Sequence, residues 1–250
     1  MVQRQELVNY IDELLDTGSY QDSCPNGLQV EGRLKINRLI TGVTASLALL
    51  EQAVERGADA ILVHHGYFWK GEAPAIAGMK QRRLKMLLSN DVNLLSWHLP
   101  LDAHPLYGNN ARLAELLELQ PEGGFGGNPA IGMVGRLKSP VDAETFAGRI
   151  AKRLSRTPFY IPAGPEPIVT IAWCSGAAQF YLNHAVDMGV DAFLTGEVSE
   201  PTVHTARECG IHFFAAGHHA TERYGVRALG DHLAQRFELE HSFIDIDNPI

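Results

Sequence analysis

One stretch of the chain is written twice, and its reading decides the fold. Residues 53–63 read AVERGADAILV, and residues 185–195 read AVDMGVDAFLT. At an offset of 185 − 53 = 132 positions, Ala53/Ala185, Val54/Val186, Gly57/Gly189, Asp59/Asp191, Ala60/Ala192 and Leu62/Leu194 are identical, and Glu55/Asp187 keep their charge. Each copy reads as the end of a helix, stopped by a glycine and followed by a buried strand. Helix–glycine–strand units share a general look, which is the ordinary account. Internal duplication, with two related halves packed about a pseudo-two-fold axis, accounts for more. It also explains a second correspondence. A strand at 92–97 leads into His98-x-x-x-Asp102, and a strand at 211–216 leads into His218-x-x-x-Glu222. Pro100 is expected to hold the first of these in a loop, whereas the second opens a helix.

Outward from this repeat, the first half reads as helix 2–15, strand 37–43, helix 45–56, strand 59–63 running into His64-His65-Gly66, helix 78–89, strand 92–97 and helix 110–119. That alternation predicts α/β architecture with a mostly parallel sheet flanked by helices. PEGGFGGNP (121–129) has the glycine and proline content of a linker. Beyond it come a strand at 131–138 and a helix at 141–155, with Ser139 as N-cap, Pro140 in the first turn and Asp142 at N3. Strands at 168–174, 191–195 and 211–216 then alternate with helices at 177–188, 200–209 and 219–236. The expected division is two related α/β domains. Residues 1–122 with 217–250 form the first and carry most of the metal ligands; residues 123–216 form the second.

Composition narrows the class. The 250 residues are 45% hydrophobic and 20% charged, with 21 basic and 29 acidic side chains and a formal charge of −8. This is ordinary globular usage, and it argues against a broad nucleic-acid footprint. The three cysteines, Cys24, Cys174 and Cys209, have no CxxC spacing. Neither a disulfide framework nor a thiolate zinc site is expected, and reduced thiols fit the cytoplasm. Cys174 and Cys209 read as small buried residues. MVQRQELVNYIDELL reads as an amphipathic helix rather than a signal peptide, and no apolar run approaches a membrane span.

In parallel α/β sheets ligands bind at the carboxyl ends of the strands. There the sequence places His64-His65, His98 to Asp102, Gly196-Glu197 and His218-His219 to Glu222, so that five of the eleven histidines fall at strand ends. A lone histidine is more often a satisfied core residue; grouped at strand ends, these read as metal ligands. His218 and Glu222, four apart on a helix start, share one face. Asp102 gains weight from its correspondence to Glu222. A carboxylate such as Glu222 can bridge two ions. His98 reads as a ligand, as a residue behind the ligands or as a proton carrier, and His219 as a residue behind the ligands or as packing. Histidine and carboxylate donors without thiolate suit Zn, Mn, Fe, Co or Ni, and two such ions can share a hydroxide and clamp an oxygen in hydrolysis. Tyr67 and Trp69 can stack on a planar substrate, and Lys70, Arg136 and Lys138 are weaker phosphate candidates. P-loop, GxGxxG, HExxH and GxSxG motifs do not occur.

PNGLQVEG (25–32), LVHHG (62–66), HLPLDAH (98–104), LTGE (194–197) and AAGHHATERYG (216–225) together resemble the YbgI-like dinuclear metal centre family. Its members carry the name GTP cyclohydrolase 1 type 2 homologue. The resemblance spans nearly the whole chain. It implies a two-domain α/β protein assembled as a toroidal hexamer, with two divalent metal ions held by His64, His65, Asp102, His218 and Glu222. The family's name implies hydrolysis of a nucleotide: a metal-bound hydroxide would attack C8 of the guanine of GTP, and His98 is then the candidate proton carrier. The alternative function is a ring-shaped assembly that binds metal or a partner without turnover.

Overall fold

The computed structural model describes all 250 residues, Met1–Ile250. They form two compact units, Met1–Leu101 with Gly225–Asp247 and Asp102–Tyr224 with Asn248–Ile250. Both are α/β. In the first, the sheet order is Glu240–Phe243, Arg38–Thr44, Ala60–His65, Asn93–Ser96, Gly27–Val30. All neighbours are parallel except the last pair. Leu49 and Leu50 of the helix Leu47–Glu55, and Leu84 and Leu87 of Gly78–Ser89, pack with Ile40, Ile61, Val63 and Leu94 of the strands. In the second unit the order is Leu119–Phe125, Gly132–Val141, Ile168–Trp173, Ala192–Thr195, His212–Ala215, Phe159–Ile161. The pairs among Ile168–Trp173, Ala192–Thr195 and His212–Ala215 are parallel, and the flanking pairs are antiparallel. Antiparallel strands at the margin of a parallel sheet are common in α/β folds. No helix is long and apolar enough to cross a membrane.

The duplicated stretch has one hydrogen-bonded frame in both units. Gly57 (φ 69°) and Gly189 (φ 67°) end their helices in the left-handed region, where a side chain would be strained. Their N–H groups bond Val54 O and Val186 O, both at 2.9 Å, and the next residues, Ala58 and Val190, bond Ala53 O and Ala185 O. Asp59 Oδ2 then accepts the N–H groups of Asn37 and Arg38, and Asp191 Oδ2 those of Val169 and Thr170. Each aspartate thus caps the start of the neighbouring strand. Each also offers its carbonyl to the third strand, Asp59 O to Asn93 N and Asp191 O to His212 N. Gly32 and Gly164, again 132 apart, sit where a Cβ would press on the backbone of Asn93 and His212.

Four expectations are corrected. Residues 121–129 are not a linker, because Leu119–Phe125 is a strand on Gly132–Val141. Its proline is tolerated because the strand lies at the sheet edge, and the ladder shifts register between Pro121 and Gly123. Ser139 and Pro140 belong to the strand Gly132–Val141, and Asp142 is the N-cap of helix Ala143–Leu154, accepting Thr145 N–H at 2.7 Å. Pro100 does not hold Asp102 in a loop. Leu99–Ala103 is a short helix, since a proline in the first turn withholds an N–H that no helical carbonyl needs. Cys209, the last residue of helix Glu200–Cys209, is exposed, whereas Cys24 and Cys174 are buried.

The edge strand Glu240–Phe243 carries a histidine, His241, whose side chain is largely covered and which the sequence did not single out. His241 Nδ1 lies 2.9 Å from Asp231 Oδ1, and its Nε2 lies 2.8 Å from Thr41 Oγ1. Burial lowers its pKa, with the Asp231 carboxylate opposing and the Arg227 charge adding to the fall. The folded chain therefore binds this proton less readily than the unfolded chain, whose imidazole titrates near 6.5. The stability it contributes is complete above that value and is lost as the pH falls through it. Urea unfolding of the metal-free protein should show wild type more stable than His241→Gln at about pH 8, with the gap narrowing towards about pH 5. A gap that widens on acidification would contradict this sign.

Candidate metal centre

The strand Ala60–His65 runs through its histidine pair rather than stopping before it. Adjacent strand residues point to opposite faces, yet the His64 and His65 ring centroids are 4.7 Å apart, with the His98 ring 4.9 Å from the first and 5.6 Å from the second. One nitrogen from each of the three lies within 4.8 Å of the others. Every ring is steered through Nδ1. His64 Nδ1–H donates to Trp97 O (3.1 Å), His65 Nδ1 meets Thr44 Oγ1 (3.1 Å), and His98 Nδ1–H donates to Asp22 Oδ1 (2.8 Å). With Nδ1 engaged, Nε2 is the nitrogen that can ligate a metal.

The segment PNGLQVEG holds this group in place. Asn26 Oδ1 accepts His98 N–H, and Asn26 Nδ2 donates to Asp22 Oδ2. Gly27 turns the chain at φ 104°. Gln29 clasps the second residue after the histidine pair: its Oε1 accepts Tyr67 N–H at 2.6 Å, and its Nε2 donates to Tyr67 O. A Cβ on Gly66 would collide with the Gln29 amide.

In the second unit the helix His218–Phe237 begins with the other histidine. His218 Nδ1–H donates to Glu197 Oε1 at 2.6 Å, and its Nε2 lies 3.1 Å from Glu222 Oε2, one turn on. Asp102 and Glu222, both buried, bring carboxylate oxygens within 4.8 Å of each other. Asp102 Oδ1 accepts from Asn109 Nδ2 (2.8 Å) and Ser175 Oγ (3.0 Å). Above Glu222 the chain is glycine. Gly176 has φ 67°, and a Cβ there would strike Glu222 Oε1 and come within 3.3 Å of His218 Nε2.

These donors fit a divalent cation. Two buried carboxylates at this separation repel each other unless a positive charge lies between or beside them. In the metal-free chain a proton on His218 supplies that charge. Burial pushes its pKa down, but the Glu222 and Glu197 carboxylates outweigh burial and bring it up to about 9. Burial raises the Cys174 thiol, as do the Asp102 and Glu222 charges. Cys174 is therefore a protonated neighbour, not a thiolate donor. The trio His64/His65/His98, and the pairs Asp102/Glu222 and His218/Glu222, have the donor chemistry to hold metal.

Of the other residues singled out from sequence, Trp69 sets its edge against His98 (centroids 5.0 Å apart) and donates Nε1–H to Gly66 O. Tyr67 is buried, with its hydroxyl on Ala45 O. Arg136 pairs with Glu122 at 2.9 Å, and Lys70 and Lys138 are exposed. His219 is buried, and its backbone N–H bonds Ile250 O. Sequence reasoning missed Asp22, Asn109, Ser175 and Gly176. Only Asn109 carried a sequence signal, as one of two adjacent amides, Asn109-Asn110, and the structure buries both at a helix start.

Comparison with known proteins agrees with this fold. The chain is 58% identical over 245 residues to the GTP cyclohydrolase 1 type 2 homolog of Pseudomonas aeruginosa, covering 97% of each. The solved structure of the protein ybgI superposes with a TM-score of 0.97 at 52% identity, over all of both chains. TTHA1606 from Thermus thermophilus superposes at 0.90 with 34% identity, again over all of both chains. The profile of the Duf34/NIF3 (NGG1p interacting factor 3) family matches residues 2–249, and the chain belongs to that family.

Proposed function

We propose that the protein is a dinuclear metal-dependent hydrolase acting on a nucleotide, with His64, His65, Asp102, His218 and Glu222 as ligands to two divalent ions. One observation carries the reading. His64, His65 and His218 each engage Nδ1 with a partner outside the group, as metal-ligating histidines do, and His218 stands over buried carboxylates. Bound ions of this kind ease the deprotonation of water near neutral pH and polarise an oxygen of the substrate. The chain's own residues do the rest. Glu197 and Trp97 O fix ring orientation, and Asn109 and Ser175 hold Asp102. Trp69 offers a half-buried aromatic surface to a planar base beside His98. His98, half-buried and hydrogen-bonded to a carboxylate, carries the proton. The substrate class follows the relatives' name, with ring opening at C8 of the guanine of GTP as the first reaction to test.

A toroidal homohexamer in the cytoplasm completes this reading. Exposed apolar side chains such as Ile76, Met79, Leu88 and Phe180 offer interface surface, and unpaired thiols suit a reducing compartment. The test is metal analysis of the purified protein, followed by a turnover screen with GTP and other nucleotides in the metal found. His98→Ala should keep its metal and lose roughly 10²-fold or more in rate. Loss of an ion from that variant would make His98 a ligand. Full metal occupancy with no turnover on any nucleotide would favour the alternative, an assembly that binds metal or a partner.

A further inference from the structure

We infer that Asp22 is the positioning residue that fixes the tautomer and aim of His98, so that the proton-carrying nitrogen is Nε2. This rests on the reading of the histidine group as the working site. Asp22 lies in SYQDSCP, which looks like an ordinary turn. Its side chain is only 3% exposed, and both oxygens are engaged. Oδ2 accepts Leu99 N–H (2.9 Å) and Asn26 Nδ2–H (3.1 Å). Oδ1 accepts Ser23 N–H (2.7 Å) and faces His98 Nδ1 (2.8 Å). A carboxylate can only accept, so the proton of a neutral His98 ring must sit on Nδ1 and leave Nε2 bare. Asn26 braces both partners, since it bonds Asp22 through its amide nitrogen and the His98 N–H through its amide oxygen. The carboxylate is thus locked before it meets the imidazole. Burial raises its pKa, but the His98 contact and charge, the Leu99 N–H and Asn26 together bring it down to about 2. It stays an acceptor wherever the protein is handled. An aspartate holding a histidine by Nδ1 plays this part in hydrolytic triads.

Asp22→Asn is the test, because it changes the chemistry and keeps the shape. The amide has one oxygen for two sides. Turned to Leu99 N–H and Asn26, that oxygen gives up the Ser23 N–H bond and leaves the NH2 facing His98 Nδ1, which must then accept and move its proton to Nε2. Nitrogen NMR of metal-free protein labelled with ¹⁵N-histidine, at mildly alkaline pH, reads the tautomer directly. The expected result is a proton on Nδ1 of His98 in wild type and on Nε2 in Asp22→Asn. Metal content should stay unchanged, and any nucleotide hydrolysis should fall roughly 10²-fold or more, as in His98→Ala. A wild-type His98 with its proton on Nε2, or an unchanged tautomer in a folded Asp22→Asn, would overturn the inference. Should the variant fail to fold, the wild-type spectrum alone decides. Failure of wild type to take up metal would overturn the proposed function, while the tautomer would still answer for Asp22.

Discussion

Glu222→Ala protein, loaded under conditions that give wild type about two metal equivalents per chain, is expected to carry neither ion. The reason lies in the carboxylate's surroundings. Glu222 stands on the first turn of its helix, buried, with one oxygen 3.1 Å from His218 Nε2 and a carboxylate oxygen of Asp102 within 4.8 Å. If Glu222 served both ions, as proposed, its removal would leave each site short of a ligand. It would also remove a negative charge that offsets part of the repulsion between two divalent ions. Elemental analysis per chain is the measurement. A variant that retained about two equivalents would show that Glu222 does not bridge, and one that lost about one would make it a ligand to a single ion. Thermal unfolding gives a second reading. Metal that binds only the folded chain raises the wild-type melting temperature, and that rise should vanish in Glu222→Ala.

The second large effect lies away from the metal ligands. Asp59→Ala should destabilise the metal-free protein by about 3 kcal/mol, because two strand-start N–H groups lose their acceptor along with the Arg33 guanidinium. For a chain of this size that is a fall of roughly 6–12 °C in melting temperature. Asp191→Ala should behave alike, since its Oδ2 serves Val169 N–H, Thr170 N–H and Thr170 Oγ1 together. Asp191→Asn separates the causes. One oxygen accepts all three bonds, so an amide can keep them, and the loss should be under half that of alanine. A drop of less than about 1 kcal/mol in both alanine variants would mean that water replaces the carboxylate at the strand starts.

How much of this was legible in the sequence depends on the range of the contact. The repeat was, because helix stop, cap and buried strand are neighbours along the chain, and the structure builds the same bonds at Asp59 and Asp191. The His64-His65 pair and the His218/Glu222 spacing were visible for the same local reason. Asp22 was not, because its meaning comes from His98, 76 positions away. Glu197 was noticed at a strand end, but its place on His218 Nδ1 depends on a contact across 21 positions. PEGGFGGNP misled because composition reports flexibility, whereas an edge strand tolerates proline and glycine once a neighbour supplies the ladder. Asp102 reads as a loop residue because a proline two positions before it can either break a helix or open its first turn, and only the backbone decides which.

The twin frames have a consequence for how such a chain can change. In both units the strands are held by backbone bonds to one aspartate and by a glycine stop, none of which touches the strand tips. The tips are where the copies part. Positions 64 and 65 are histidines, and their counterparts 132 residues on are Gly196 and Glu197. One copy supplies imidazoles; the other supplies a carboxylate behind His218 and a glycine on which a Cβ would press against the His218 backbone. Foldedness and chemistry are thus assigned to different atoms of the same motif. A duplicated scaffold of this kind lets selection rewrite the residues at the tips, one copy at a time, while the hydrogen bonds that keep the protein folded stay untouched.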